Sequence, residues 1–227
     1  MHVRSAALAL MLSTAPAWAA VSVYGHGPRL DASAAGASSY YPETSQRHIA
    51  EGFTLSQSVD LSAVRFWGFA LGAFPVLPGG YTISLWNSDG VSDNGVAGSP
   101  GTLLFQQETL VTDARFSSQN VPASNPGLTR YDIDLGTTVR LNAGERYWIS
   151  IAGRVEPEMY FKWSWADSAT GSGYWSGYNV FSSNSWFTLE PRPFSTGGQA
   201  FELFAIPTPS STGVLALGIA AARRRRR

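Results

Sequence analysis

Apolar residues recur at every second position through much of this 227-residue chain. Tyr81, Ile83 and Leu85 alternate with Thr82, Ser84 and Trp86. Tyr131, Ile133 and Leu135 alternate with Asp132 and Asp134, and Tyr147, Ile149 and Ile151 follow the turn Asn142-Ala143-Gly144-Glu145. Successive side chains of an extended strand point to opposite faces, so the segment around Tyr131 is expected to have one buried and one wet face. The same reading predicts strands in residues 53–55, 64–71, 103–111, 159–165, 180–189 and 199–206. Turn residues punctuate them at Pro78-Gly79-Gly80, Ser88-Asp89-Gly90, Asp93-Asn94-Gly95, Ser99-Pro100-Gly101, Asn125-Pro126-Gly127 and Ser195-Thr196-Gly197-Gly198. No stretch of twelve residues outside the chain ends carries a helical period. Many short strands with Gly and Pro turns predict an all-β fold, an antiparallel β-sandwich over residues 20–205.

The ends follow different rules. Met1-His2-Val3-Arg4-Ser5 precedes the apolar run Ala6-Ala7-Leu8-Ala9-Leu10-Met11-Leu12, and Ala17-Trp18-Ala19 places small residues where a signal peptidase reads them. Charge, a short apolar stretch and an A-x-A site predict a secretory signal over residues 1–19. The run is far short of the ~20 residues that span a bilayer. At the other end, Ile206-Pro207-Thr208-Pro209-Ser210-Ser211 precedes an eleven-residue apolar segment (212–222) and the arginines Arg223, Arg224, Arg225, Arg226 and Arg227. Two prolines make a stiff spacer that helix and sheet cannot absorb. The apolar segment, if helical, spans ~17 Å, about half a hydrocarbon core. The arginines favour the cytoplasmic face. A helix this short suits a transient hold better than a permanent anchor.

This tripartite tail (206–227) resembles the PEP-CTERM sorting signal of Gram-negative and related bacteria, with Pro207-Thr208-Pro209 standing for the usual Pro-Glu-Pro. The resemblance implies export, transient membrane association, processing by an exosortase-like membrane enzyme, and delivery to the cell surface or extracellular matrix. An uncut tail anchor is the alternative. The body is also similar to the jelly-roll domains that often precede such tails. The stretches Ala63-Val64-Arg65-Phe66-Trp67-Gly68, Tyr81-Thr82-Ile83-Ser84-Leu85-Trp86 and Leu141-Asn142-Ala143-Gly144-Glu145-Arg146-Tyr147-Trp148-Ile149-Ser150-Ile151 carry that likeness.

Composition narrows the function. The formal charge is zero overall, but between the two end segments ten basic residues face sixteen acidic ones, and only Lys162 is a lysine. An acidic body without a basic stripe argues against nucleic acid and against adhesion to anionic lipid. There is no cysteine, so the fold is expected to rely on its core, and thiol chemistry is excluded. Charged residues make up 14% and aromatics 13%, with eight Trp, so a large core can be buried.

No catalytic signature stands out. The histidines are His2, His26 and His48, and Gly173-Tyr174-Trp175-Ser176-Gly177 places its serine one position late for a nucleophile elbow. Glu156 and Glu158, two apart, read as solvated turn acids more readily than as a glycosidase pair. Asn87, Asp89, Asp93 and Asn94 offer oxygen ligands for calcium, yet their spacing is that of ordinary turns. No cofactor is expected. The aromatic run from Tyr160 to Trp186 is the candidate for recognition. Trp163, Trp165, Trp175 and Trp186 could stack on sugar faces, Trp163 and Trp165 sharing one face of a strand ~7 Å apart, whereas the competing reading places most of these rings in the core. Two functions are therefore expected to compete: a non-enzymatic surface or matrix protein whose tail is its main functional element, and a carbohydrate-binding module acting on matrix polysaccharide.

Overall fold

The computed structural model describes residues 20–30, 40–41, 47–71, 78–91, 97–122, 128–154, 162–168, 175–179, 183–189 and 198–206. Among them there is no helix, and so none long and apolar enough to cross a membrane. The strands are β1 (Val21–His26), β2 (Tyr40–Tyr41), β3 (Arg47–Thr54), β4 (Val59–Leu71), β5 (Gly80–Asn87), β6 (Gly90–Val91), β7 (Ala97–Ser99), β8 (Leu103–Leu110), β9 (Phe116–Asn120), β10 (Thr129–Leu141), β11 (Arg146–Arg154), β12 (Lys162–Trp165), β13 (Trp175–Asn179), β14 (Ser183–Leu189) and β15 (Phe201–Ile206).

They form an antiparallel β-sandwich. One sheet runs β1-β15-β4-β10-β9, with β12 also pairing β4; the other runs β14-β13-β3-β2-β11-β5-β8, with β3 also pairing β11. The short β2–β11 contact is parallel. Between the sheets lies one core: Val64, Phe66, Tyr131, Ile133, Leu203 and Phe201 from the first sheet meet Phe53, Tyr81, Ile83, Leu85, Tyr147, Ile149 and Ile151 from the second. The expected alternation in β10 holds, since Tyr131, Ile133 and Leu135 are buried while Asp132 is partly and Asp134 fully exposed.

In β5 the alternation does not separate buried from wet, because residues 81–86 are all buried. Trp86 joins Trp148 and Ala50 in a second apolar cluster on the outer face of that sheet. The segment after β5 closes over it: the Trp148 indole N–H donates to Ser88 Oγ (3.1 Å) and to the Gly98 carbonyl (2.9 Å), and the Arg146 guanidinium lies 4.7 Å from the Trp148 ring centre. A strand buried on both faces is what a central position under such a cover requires.

β1 and β9 are the edges of the first sheet, and the period-two pattern did not predict either. β1 and β9 show mostly exposed or half-buried positions, so little in their composition marks them. At the β10–β11 hairpin Gly144 adopts φ +77°, a left-handed turn geometry that a side chain disfavours. Val21 pairs with Ala205, so the domain begins beside the point where its last strand ends. Ile206, read above as the first residue of the tail, closes β15. Residues 1–19 and 207–227, with the signal, Pro207, Thr208, Pro209 and Arg223 to Arg227, lie outside the described residues.

Candidate functional site

Outward positions of the first sheet build a groove of about 380 Å³, lined by Ala63 and Arg65 of β4, Asp132 and Asp134 of β10, Ser117 of β9 and Phe204 of β15, joined by Ala20, Ala114, Arg115 and the core-facing Phe116. Register explains the assembly. Arg65 pairs with both Asp132 and Glu202, and Ala63 with both Asp134 and Phe204, so each outward row crosses three strands. Ala63 is small, and the groove dips over it between flanking charges and rings.

Arg65 organises the charges. Its Nε donates to Asp132 Oδ1 at 2.6 Å and its Nη1 to Glu202 Oε2 at 3.0 Å, while Arg130 Nε donates to Asp132 Oδ2 at 2.9 Å. The Arg65 guanidinium carbon lies 4.9 Å from the Phe204 ring centre. The side chains of Arg65, Asp132 and Glu202 are each 28% exposed, so solvent screens the network only in part. At the rim, Arg115 binds both carboxylate oxygens of Asp113, which holds the Asp113 carboxyl down to about 2. Asp134 Oδ1 accepts from the Gly136 N–H at 2.7 Å. Cations and carboxylates nearly balance here. Fixed planar groups of this kind suit a neutral polyhydroxyl ligand better than a polyanion, which would meet as much repulsion as attraction.

The sequence-derived candidates fare unevenly. Trp163 and Trp165 do share a face of β12, but it is the inner one. They are 1% and 0% exposed and belong to the core, so both are withdrawn as sugar-stacking residues. Trp163 stands edge-on to Phe66 and Tyr81, and Trp165 donates its indole N–H to the Ala200 carbonyl at 2.8 Å. The reason is local: β12 pairs onto β4 opposite Gly68, where a Cβ would come within 2.4 Å of the Trp163 ring, so only glycine leaves that space. Trp175 opens β13 and pairs with Glu51 and Leu189, while Trp186 in β14 pairs with Tyr178. Both strands stand at one margin of the second sheet.

Asp89 is exposed and its oxygens accept from the Thr102 N–H (2.7 Å), the Thr102 hydroxyl (2.9 Å) and the Asn87 amide (2.8 Å). These bonds, the one from the Thr102 N–H foremost, lower its carboxyl pKa, and they make Asp89 a loop clasp. Asp93, Asn94, Glu156 and Glu158 lie outside the described residues. His48 stands in β3 opposite Tyr178, and His26 accepts or shares a hydrogen bond with the Tyr24 hydroxyl at 3.1 Å. Among the described residues no three His, Asp or Glu side chains are grouped to hold a metal.

Sequence reading missed Arg65, Asp132, Glu202 and Phe204 as a unit. Its one available signal was the charged residues at outward positions of strands whose inward positions are apolar. Comparison of the chain with family models, with curated proteins and with solved structures found no match.

Proposed function

We propose that this chain is an exported, non-enzymatic protein of the bacterial surface or extracellular matrix, sorted through its C-terminal tail by an exosortase-like membrane enzyme. The observation that carries this reading is the tail itself: Pro207-Thr208-Pro209, a half-length apolar segment and five terminal arginines. The fold is compatible with it in one specific respect. β1 and β15 pair with Val21 opposite Ala205, so a cut near residue 19 and a tether from residue 207 leave the sandwich at the same place. Nothing in the domain then has to be threaded or rearranged for processing at both ends. The test is the intact mass of the protein from its native host, compared between envelope and medium. A mass ending between residues 207 and 211 is expected; a mass that retains Arg223 to Arg227 throughout overturns the sorting reading.

The second reading, polysaccharide binding, is favoured by the groove over Ala63 rather than by Trp163 and Trp165, which are buried. Its charge-balanced Arg65–Asp132–Glu202 row beside Phe204 supports a neutral glycan as ligand. The two readings are compatible, since a matrix protein can be held by the polysaccharide into which it is delivered.

A further inference from the structure

β8 is the last strand of the second sheet: it pairs with β5 on one side, and among the described residues no strand pairs with the other. Backbone direction fixes what that open side offers. The Asn87 N–H donates to the Thr102 carbonyl and the Val111 N–H to the Gly79 carbonyl, so odd-numbered positions of β5 bond toward β8, and residues 105, 107, 109 and 111 bond back. The N–H and C=O groups of Gln106, Glu108 and Leu110 therefore point away from the sheet. The Leu110 carbonyl accepts from the Asp113 N–H at 3.0 Å, and the peptide groups of Gln106 and Glu108 are left as a template for another strand.

The same edge is apolar. Leu103, Leu104, Leu110 and Val111 are 46%, 42%, 45% and 40% exposed, four of the seven large apolar side chains that stand exposed among the described residues. Phe105 packs against the core and Thr109 is buried, whereas Gln106 and Glu108 lie on the outer face opposite Ser84 and Thr82. A bulge opposite Trp86 leaves both Leu103 and Leu104 exposed. Edge strands are ordinarily blunted by lysine, proline or an inward charge, and β8 has none of these; its one charge, Glu108, faces outward and pairs with Arg154 of β11. The neighbouring edge β9 is dressed differently, with Ser117, Ser118, Gln119 and Asn120 as its exposed positions.

We propose that β8 is a self-association edge, on which a second copy of this chain adds its own β8 antiparallel and joins the two second sheets into one. The residues of β8 select that occupant. Centred on Gln107, a two-fold pairing sets Leu104 against Leu110 of the second copy and Gln106 against its Glu108, and symmetry makes each match twice. The Gln106 amide donates one N–H to Ser84 Oγ (3.1 Å) and keeps its second for that carboxylate. Neighbouring registers fail: centred on Glu108 the pairing opposes two carboxylates, and centred on Gln106 it sets Leu104 against Glu108. A pairing centred between two residues would oppose inward-facing and outward-facing positions. The backbone agrees with the Gln107 centre, because Gln106 and Glu108, whose peptide groups point outward, then form the hydrogen-bonded pairs of the new ladder. The contact does not depend on how the tail is processed or on what the groove over Ala63 binds.

The experiment is sedimentation equilibrium of the full chain over a concentration series, together with single-cysteine cross-linking, which the absence of native cysteine makes clean. A reversible dimer is expected with Kd of roughly 10⁻⁶–10⁻⁴ M, since one strand pair makes a small interface. Gln107→Cys is expected to give a disulfide-linked dimer on mild oxidation: opposed residues of a non-hydrogen-bonded pair lie ~4.5 Å apart at Cα, within reach of a disulfide. Gln119→Cys, on β9, is expected to give none. Leu110→Lys and Gln106→Glu are expected to weaken the dimer at least fivefold, and Gln106→Lys, which would face Glu108 of the second copy, to tighten it about threefold. These positions are exposed or half-buried, so the variants are expected to keep the wild-type Tm within a few degrees. A wild-type chain that stays monomeric at about 0.5 mM, above that Kd range, overturns the proposal. A dimer that is untouched by Leu110→Lys and forms no disulfide at position 107 also overturns it, placing the contact in the tail or at another edge.

Discussion

Replacing Asp167 by Asn should make the protein more stable above neutral pH and leave it nearly unchanged in acid. Burial is the main cause of the raised Asp167 carboxyl, which titrates at about 6 in the folded chain against an ordinary value of 3.8; its bond from Gln199 and the charge of Arg29 lower it only in part. A folded-state pKa above the unfolded value means that the folded chain holds its proton more tightly. The contribution of Asp167 to stability is therefore most favourable below pH 4, falls between pH 4 and 6, and above that carries the full penalty. Two pH units at 1.36 kcal/mol each come to about 3 kcal/mol. Asn keeps the shape and an oxygen for Gln199 Nε2 but has nothing to ionise. His26 acts in the opposite direction, because burial lowers its pKa and so favours the folded state as pH rises toward 6.5. Glu51, Arg29 and Tyr24 share the neighbourhood, so the raw pH profile is a composite. The difference between variant and wild type removes those common contributions. Urea unfolding from pH 4 to pH 8 is the assay. The variant's advantage should grow from near zero to about 3 kcal/mol. A difference that is flat with pH would refute the idea that a desolvated Asp167 carboxylate is charged in the folded protein at neutral pH.

Gly68→Ala should destabilise by roughly 1–3 kcal/mol, the ordinary cost of overpacking, because the added Cβ must displace the Trp163 ring from a packed core; a urea midpoint unchanged from wild type would contradict that geometry. In the groove, Arg65→Ala should weaken retention on the host's own matrix polysaccharide at least fivefold in affinity electrophoresis, while Trp163 and Trp165, being inside, cannot contribute by direct contact. Retention equal to that of wild type removes the groove from the glycan reading.

The class of fold was legible from the chain alone because strand periodicity is a local property. Tyr131, Ile133 and Leu135 alternate with Asp132 and Asp134 whatever their partners are, and apolar area on one face has to be covered. Glu51 lay outside the strand expected over residues 53–55, and only its register opposite the core residue Ile149 shows that it turns inward. What periodicity could not say is which face of a strand turns inward. Trp163 and Trp165 were correctly placed on one side of a strand, but the side was set by β12 docking on β4 over Gly68. The alternation in β5 likewise could not tell that Trp86 and its neighbours on the outer face would be covered, by a segment whose Ser88 and Gly98 reach Trp148. The groove shows the limit most clearly. Arg65 meets Asp132 from 67 residues away and Glu202 from 137, and such neighbours are created by strand order and register, which depend on the summed packing of a whole core rather than on any short run of residues.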